Sequence, residues 1–597
     1  MHGKVAELAD SRKPAAEVPA PPRAGADILI DGLLAQGVDT LFAAPSIRQT
    51  PPWSALRRVR ESLRTIVAQH EQASGFAAEG YARASGKVGV CLAVGSTGAA
   101  NLVTCLADAK MDSVPLVALA TACPTLFLGT HACHEVSMSQ TSRPITKHHF
   151  QVRRGVDVPR VLREAFHIAH TGRPGPVLVE LEAGVLEETA HADQKSALNL
   201  PGYVPERLIP RSELERVLEL LRHSRRPVIY AGGGVIAAEA ALLLRTFAER
   251  LGIPVAMTLM GLGGFPGDHD LSLHMLGMHG TVYANYAIND ADLLLALGVR
   301  FDDRVTGKVS EFAKHGTIIH IDIDPSELNK VKTAHLPIHG DVGQALRDLL
   351  ELLEAAGNGA DSLSSRWTDW KKRIDHWKAT EPLRYPNRDD VIVPQYAIHR
   401  LWQLVRQRRQ LDTTIVTTGV GQHQMWAAQY YRCAQPRTFL TSGGHGAMGF
   451  GLPAALGAQA AHPGKTVIDI DGDGSFLMNL RELVCAAQEK LPVKVLLLNN
   501  QHLGMVAQWE DRFYYSNRGH TYLGAGADEA PYPDFVTLAQ ACGCEARQVA
   551  RQDEFDDALT EMLDSDLPFV LDVHTPYQEH VLPMIPSGMT VRDIIKA

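Results

Sequence analysis

Residues 466–502 carry an acid and an amide at the spacing that a phosphate-bound cation would need. An apolar strand, Thr466–Ile470, runs into Gly472-Asp473-Gly474, and a helical stretch follows. A second apolar strand, Val493–Leu498, then ends in Asn499-Asn500. A strand–loop–helix–strand unit puts both side chains at the carboxyl edge of a parallel sheet, where open α/β sheets bind ligands. Magnesium held together with a diphosphate takes few protein oxygens, typically a carboxylate, an amide oxygen and a carbonyl. Asp473, Asn500 and the backbone carbonyl of His502 could supply that set. A Gly-Asp-Gly turn alone is an ordinary tight turn; the paired asparagines give it a chemical meaning. Glu71 is the second candidate: it ends the strand LRTIVAQHE and directly precedes an Ala-rich helix. An acid at a helix start is ordinarily a partner of the helix dipole. Buried beside an apolar ring, it would also be tuned for general acid–base work.

The unit resembles the thiamine diphosphate (ThDP) motif. Its continuation, Gln501 to Tyr514 (QHLGMVAQWEDRFY), resembles the large catalytic subunit of the acetolactate synthase family. That resemblance implies roles for residues in all three blocks of the chain. Glu71, in HEQASGFAAEGYAR, would bond N1′ of the aminopyrimidine and activate the cofactor. Gly421, Gln422, His423 and Met425 in TTGVGQHQMWAAQ, with Gly472, Gly474 and Ser475, would hold the cofactor and its diphosphate. Met448, in GAMGFGLPAALGA, would keep the cofactor in a bent V shape. The middle block is similar to the family's FAD domain. There Gly232-Gly233-Gly234 follows a strand as a phosphate loop, and Met278, His279, Arg304, Asp322, Asp324 and Asp341 would contact a chiefly structural flavin. Trp509 would shape the pocket for a second 2-oxo acid, where an extra methylene is worth at most ~1–3 kcal/mol.

The implied activity is decarboxylation of pyruvate and transfer of the two-carbon unit to a second 2-oxo acid. The products would be 2-acetolactate or 2-aceto-2-hydroxybutyrate, on the route to isoleucine and valine. Glu71 of one chain would meet ThDP held by the third domain of another, so a homodimer or homotetramer is expected. A small regulatory subunit is a possible further partner.

The resemblance breaks in the first block. The family's Tyr-Pro-Gly-Gly is Ala44-Pro45-Ser46-Ile47, and its Arg-Arg-Met-Ile-Gly is Thr125-Leu126-Phe127-Leu128-Gly129. Its Ala-Phe-Gln-Glu is Ala132-Cys133-His134-Glu135. In the third block, Gly-Leu-Gly-Ala-Met is Gly444-His445-Gly446-Ala447-Met448. Ile47 and His134 therefore join Trp509 as substrate-facing candidates, and His134 and His445 could act as acid–base or anion-binding groups near neutral pH. Three alternatives stay open: a ThDP carboligase or decarboxylase with another substrate, a flavin-linked enzyme like pyruvate oxidase, and a cofactor-binding pseudoenzyme subunit.

The elements that must position these groups alternate between strand and helix throughout, which predicts α/β domains with parallel sheets. The length of 597 residues suits several domains. The expected organisation is three doubly wound domains: pyrimidine-binding (24–190), FAD-type (205–355) and diphosphate-binding (391–575). A leader (1–23), a polar Trp-containing linker (356–390) and a tail (576–597) complete it. Charged residues make up 21% and the net charge is −9, which favours neither nucleic acid nor an anionic membrane. No apolar run reaches the ~18 residues of a membrane span. The 8 cysteines lack CxxC spacing, and the leader lacks both the apolar core of a secretory signal and the Arg/Ser-rich character of a transit peptide. A cytoplasmic protein is expected from these features.

Overall fold

The computed structural model describes residues 22–44, 50–122, 129–131, 135–182, 184–191, 198–205, 207–355, 365–386, 388, 390–524 and 532–596. Within them lie three six-stranded sheets whose strand pairs are all parallel.

The first sheet contains β1 (Thr40–Ala44), β2 (Arg64–Val67), β3 (Gly89–Ala93), β4 (Leu116–Thr121), β5 (His148–Val152) and β6 (Pro176–Leu181), in the order β2-β1-β3-β4-β6-β5. The second contains β7 (Pro227–Ala231), β8 (Val255–Met257), β9 (Ser272–Met275), β10 (Leu293–Leu297), β11 (Thr317–Asp322) and β12 (Leu336–His339), in the order β9-β8-β7-β10-β11-β12. The third contains β13 (Thr414–Thr418), β14 (Phe439–Thr441), β15 (Thr466–Gly472), β16 (Lys494–Asn499), β17 (Glu545–Val549) and β18 (Phe569–His574), in the order β14-β13-β15-β16-β18-β17. The outer sheets thus repeat one connectivity, and the middle sheet has the dinucleotide-binding order. In each, the connections leave in opposite directions from one adjacent pair, β1 and β3, β7 and β10, or β13 and β15, and the last two strands of the outer sheets also stand in reversed order. The carboxyl ends of those pairs form the crevices where such sheets take ligands.

Several helices matter for the site: α1 (Glu71–Ser85), α2 (Val103–Asp112), α3 (Gln422–Tyr430), α4 (Gly451–Ala461), α5 (Asp473–Asn479), α6 (Glu482–Gln488) and α7 (Gly504–Phe513). α1 packs on the first sheet, α4 on the third, and the two helices pack on each other. Their sequences are Ala- and Gly-rich because the backbones touch. A Cβ on Gly80 would strike the carbonyl of Ala454, and one on Gly457 would strike the carbonyl of Ala77. Phe76 and Phe450 close the contact edge to face, with ring centroids 5.4 Å apart. One buried apolar cluster therefore runs from the first sheet into the third.

Beside this contact lies a buried ion cluster. The Arg83 guanidinium, on α1, donates to Glu79 (3.2 Å), Asp108 (3.1 Å), Asp112 (3.0 Å) and the carbonyl of Thr441 (3.0 Å). Asp112 also accepts the N–H groups of Gly443 (2.9 Å) and Gly444 (2.7 Å), and Ser442 Oγ donates to Asp108. One cation cannot neutralise three carboxylates. Burial pushes the Glu79 carboxyl well up, helped by the neighbouring Asp108, and burial with Asp112 raises Asp108.

Within the segment expected as a linker, Thr368–Thr380 forms a helix. Just before it, Trp367 donates from its indole to the carbonyl of Ser224 (3.1 Å), and Trp370 donates to that of Pro227 (3.1 Å). Two tryptophans in a polar stretch mark a segment that docks on the middle domain rather than one that only spans between domains.

Gly80→Ala and Gly457→Ala are each expected to cost about 1–3 kcal/mol by forcing the helices apart, read as a lowered urea midpoint. The raised carboxyls also predict a pH effect. Their stabilising contribution is complete below the unfolded values near 4 and is lost as pH rises through the raised folded values. Wild type should therefore lose stability relative to Glu79→Gln as pH rises from about 5 to 9, as measured by urea melts at each pH.

Candidate functional site

β15 ends at Gly472, paired with Leu498 of β16, so Asp473 and the Asn499-Asn500 turn leave the sheet side by side. Asp473 opens α5 and is buried. The backbone N–H groups of Gly474 and Gln501 point to its carboxylate, and the Tyr532 hydroxyl donates to it. Burial pushes this carboxyl up to about 6, against the pull of those donors. The Asn500 side-chain oxygen accepts the N–H of His502 (2.9 Å), and His502 Nδ1 lies 2.8 Å from the carbonyl of Asn500. The three predicted metal residues thus share one loop edge. Among the described residues, no group of three His, Cys, Asp or Glu side chains could hold a metal.

Gly419 to Gly421 follow β13, and Gly421 caps α3. The His423 imidazole sits over two glycines: a Cβ on Gly421 would lie 2.9 Å from its Cε1, and one on Gly472 2.6 Å from its Nδ1. His423 Nε2 approaches Asp471 at 3.2 Å. Ser475 Oγ accepts the N–H groups of Gly449 (3.0 Å) and Val420 (3.3 Å), joining the loops after β13, β14 and β15. Met448 leans towards Gly474, its Cε 3.8 Å from where a Cβ would stand. These groups form one cradle. Gln422 departs from expectation: its side-chain amide donates to Gln508 Oε1 (3.0 Å) and to the carbonyl of Glu579 (2.9 Å). The side chain ties α3 to α7 and the tail, so the backbone N–H is what Gln422 can offer a phosphate.

A cavity of about 1000 Å³ runs from the middle domain to this cradle. Gly232, Gly233, Gly234, Met278, His279, Arg304, Asp322 and Asp341 line one end, and Gly421, Met425, His445 and Trp509 line the other. Gly232 and Gly234 pack against Gly298 at the end of β10, with no room for a Cβ on Gly234 at 2.6 Å from the Gly298 Cα. His279 is buried, and burial pulls its imidazole down to about 4. Asp341 Oδ1 accepts the N–H of Gln344 (2.9 Å) at the start of the helix Val342–Ala355. Asp324 pairs with Arg173 of the first domain (3.1 Å); Arg173 lines the cavity and Asp324 itself does not.

Glu71 opens α1, which His70 caps by accepting the N–H of Gln72 (3.2 Å). Asn101 Nδ2 donates to its carboxylate (3.0 Å), and a Cβ on Gly98 would lie 2.8 Å from its Oε1. Within one chain, none of the described contacts of Glu71 is shared with Asp473. Ile47 and His134 lie outside the described residues, as do most of the other first-block departures. Arg83, Glu482 and Tyr532 went unread in the sequence. An Arg four residues after a Glu on an Ala-rich helix was the one available signal for Arg83.

Three family models of thiamine pyrophosphate enzymes match in order: the N-terminal TPP-binding domain over 23–142, the central domain over 214–349 and the C-terminal TPP-binding domain over 419–573. The chain is 50% identical to the chloroplastic acetolactate synthase of Arabidopsis thaliana over 97% of its own length and 85% of that protein. It is 51% identical to chloroplastic acetolactate synthase 1 of Oryza sativa subsp. japonica, over 97% and 88%. It is 50% identical to chloroplastic acetolactate synthase 1 of Zea mays, over 97% and 89%.

The chain belongs to the acetolactate synthase family.

As a member of that family it is a ThDP-dependent enzyme, and the three sheets are its N-terminal, central and C-terminal domains. These relatives overturn the cytoplasmic expectation, since all three are named as chloroplastic proteins. That expectation rested on the composition of a leader that lies largely outside the described residues. No described helix is long and apolar enough to cross a membrane.

A Cβ on Gly504 would stand 2.8 Å from Asn500 Nδ2 and strike Gln422 Oε1. Gly504→Ala should therefore displace the loop edge and weaken ThDP binding about tenfold, the equivalent of roughly 1.4 kcal/mol, with the melting temperature changed by only a few degrees. Fluorescence titration of the cofactor checks it.

Proposed function

We infer that this enzyme decarboxylates pyruvate and joins the two-carbon unit to a second 2-oxo acid, giving 2-acetolactate or 2-aceto-2-hydroxybutyrate. The reading is carried by one continuous cavity, with a glycine cradle at its middle-domain end and Trp509 at its ThDP end, in a chain half-identical to acetolactate synthases along almost its whole length.

The residues fit the groups that this activity calls for. Asp473 offers one buried carboxylate beside the amide of Asn500, the hard oxygen set that magnesium takes with a diphosphate. His502 would complete it through its carbonyl. For FAD, Gly232 to Gly234 offer a cradle that side chains would close, and the buried His279 has a ring nitrogen without a protein partner. Met278, Arg304, Asp322 and Asp341 would line its length. There it would fill and stiffen the cavity.

ThDP, when bound, supplies an acidic carbon nucleophile and an electron sink for decarboxylation. The chain supplies the rest. Glu71 holds or releases a proton at its carboxylate, which Asn101 and the space over Gly98 keep in place. The N–H groups at the start of α3 and the loop bound by Ser475 orient phosphate oxygens. Trp509 walls off the acceptor end.

We propose a homodimer or larger homo-oligomer in which Glu71 of one chain meets the metal loop of another, as the family resemblance implies. Tyr514, 62% exposed, and the fully exposed Tyr515 follow the far end of α7 and offer aromatic surface to a second copy. A small regulatory subunit belongs to the same family-based reading. A second reading, a ThDP carboligase with another acceptor, is favoured by His445, an ionisable ring on the cavity wall where the family has leucine.

Purified protein with ThDP, Mg²⁺, FAD and pyruvate should yield acetolactate. A different product, or a product only when an aldehyde or glyoxylate is added, would favour the second reading. Glu71→Gln should lower turnover at least about 100-fold, with ThDP still bound. Near-normal activity in that variant would sink the assignment.

A further inference from the structure

Glu71 is held by its own domain through Asn101, but the backbone that delivers it is held from elsewhere. α5 begins at Asp473, and α6 follows it with Glu482 as its first residue. Glu482 is fully buried. Its two carboxylate oxygens lie 3.2 and 3.1 Å from the backbone N–H of Gln69. Burial pushes its carboxyl up to about 7, and the N–H groups of Gln69 and His70 pull it back. Arg481 also pulls it down but only from 4.0 Å, with its side chain 47% exposed, so the closer partner of the carboxylate is the Gln69 N–H.

Gln69 and His70 are the last two residues before α1, and His70 is also the cap of that helix. The angle at which the chain enters α1, and so the direction in which Glu71 leaves it, is fixed by a carboxylate from the third domain. An apolar residue could fill the space but would leave backbone donors unpaired.

We propose that Glu482 is a positioning residue for Glu71, joining the helix pair behind the metal loop to the strand end that presents the activating carboxylate. The inference rests on the reading of Glu71 as the group that handles the cofactor's proton.

The test uses the full-length protein and the variants Glu482→Ala, Glu482→Gln and Glu71→Gln. Amide hydrogen exchange across residues 68–72 is read by mass spectrometry without cofactor. Exchange of the thiazolium C2 proton is read by quenched NMR with ThDP and Mg²⁺, and ThDP affinity by titration. Glu482→Ala should speed amide exchange in that segment and slow C2 exchange about tenfold or more, with ThDP affinity within about threefold of wild type. Glu482→Gln keeps one acceptor oxygen and should recover most of both signals. Should Glu482→Ala not fold, Glu482→Asp, one methylene shorter, replaces it with the same expectations. Wild-type rates in the shortened variant, or a Gln variant as impaired as it, would overturn the inference. If C2 exchange is abolished by Glu71→Gln yet untouched at position 482, this inference alone fails. If wild type does not accelerate C2 exchange over free ThDP, the reading of Glu71 fails as well.

Discussion

A wholly parallel sheet must be covered on both faces, since its crossovers lay helices over each side. This chain contains three such sheets. The outer two meet the requirement by sharing a layer: α1 covers the first sheet, α4 covers the third, and each helix is the other's outer wall. The first and third domains are therefore one packed body in core terms. The site inherits its rigidity from that arrangement. Glu71 is the first residue of α1, and the Gly443–Gly446 loop leading to α4 is held by Asp112 from the first domain.

The repeated connectivity of the outer sheets explains why the chemistry divides as it does. In each sheet the connections leave in opposite directions from one adjacent pair of strands, and a crevice opens there. In the third domain that crevice is edged by Gly421 and Asp473, which suit phosphate and cation. In the middle domain it is edged by Gly232 and Gly298, which allow a ligand close to the backbone. In the first domain β1 and β3 edge it, and Glu71 stands at the end of the neighbouring β2. The parts of the reaction are thus spread over three strand-end crevices, and docking between domains must bring them together.

Much of this was legible because the signals are local. Buried strands read as apolar runs, and Gly-Asp-Gly with Asn-Asn fixes two strand ends by its own spacing. α1 reads from its alanines and its glycine stop. The features that escaped depend on partners hundreds of residues away. Asp324 reads as a strand-end acid, with nothing local to mark its pairing with Arg173. Gln422 looks like a phosphate ligand until the carbonyl of Glu579 takes its amide. Glu482 has no local mark at all, since its partner is a backbone N–H in another domain. The helix Thr368–Thr380 was hidden by a polar surface, its buried side resting on Trp370 and Ile374, with Trp367 docked just before it.

The contact between Gly80 and Gly457 also has a consequence for descent. Each glycine exists because of a backbone on the other helix, so neither helix can gain a side chain there unless the other retreats. Exchange of the first or third domain with that of a relative would transplant half of a two-part fit. Lineages should therefore pass these two domains on as a pair, and a recombinant drawn from distant parents should fail at this crossing even when each half came from a working enzyme.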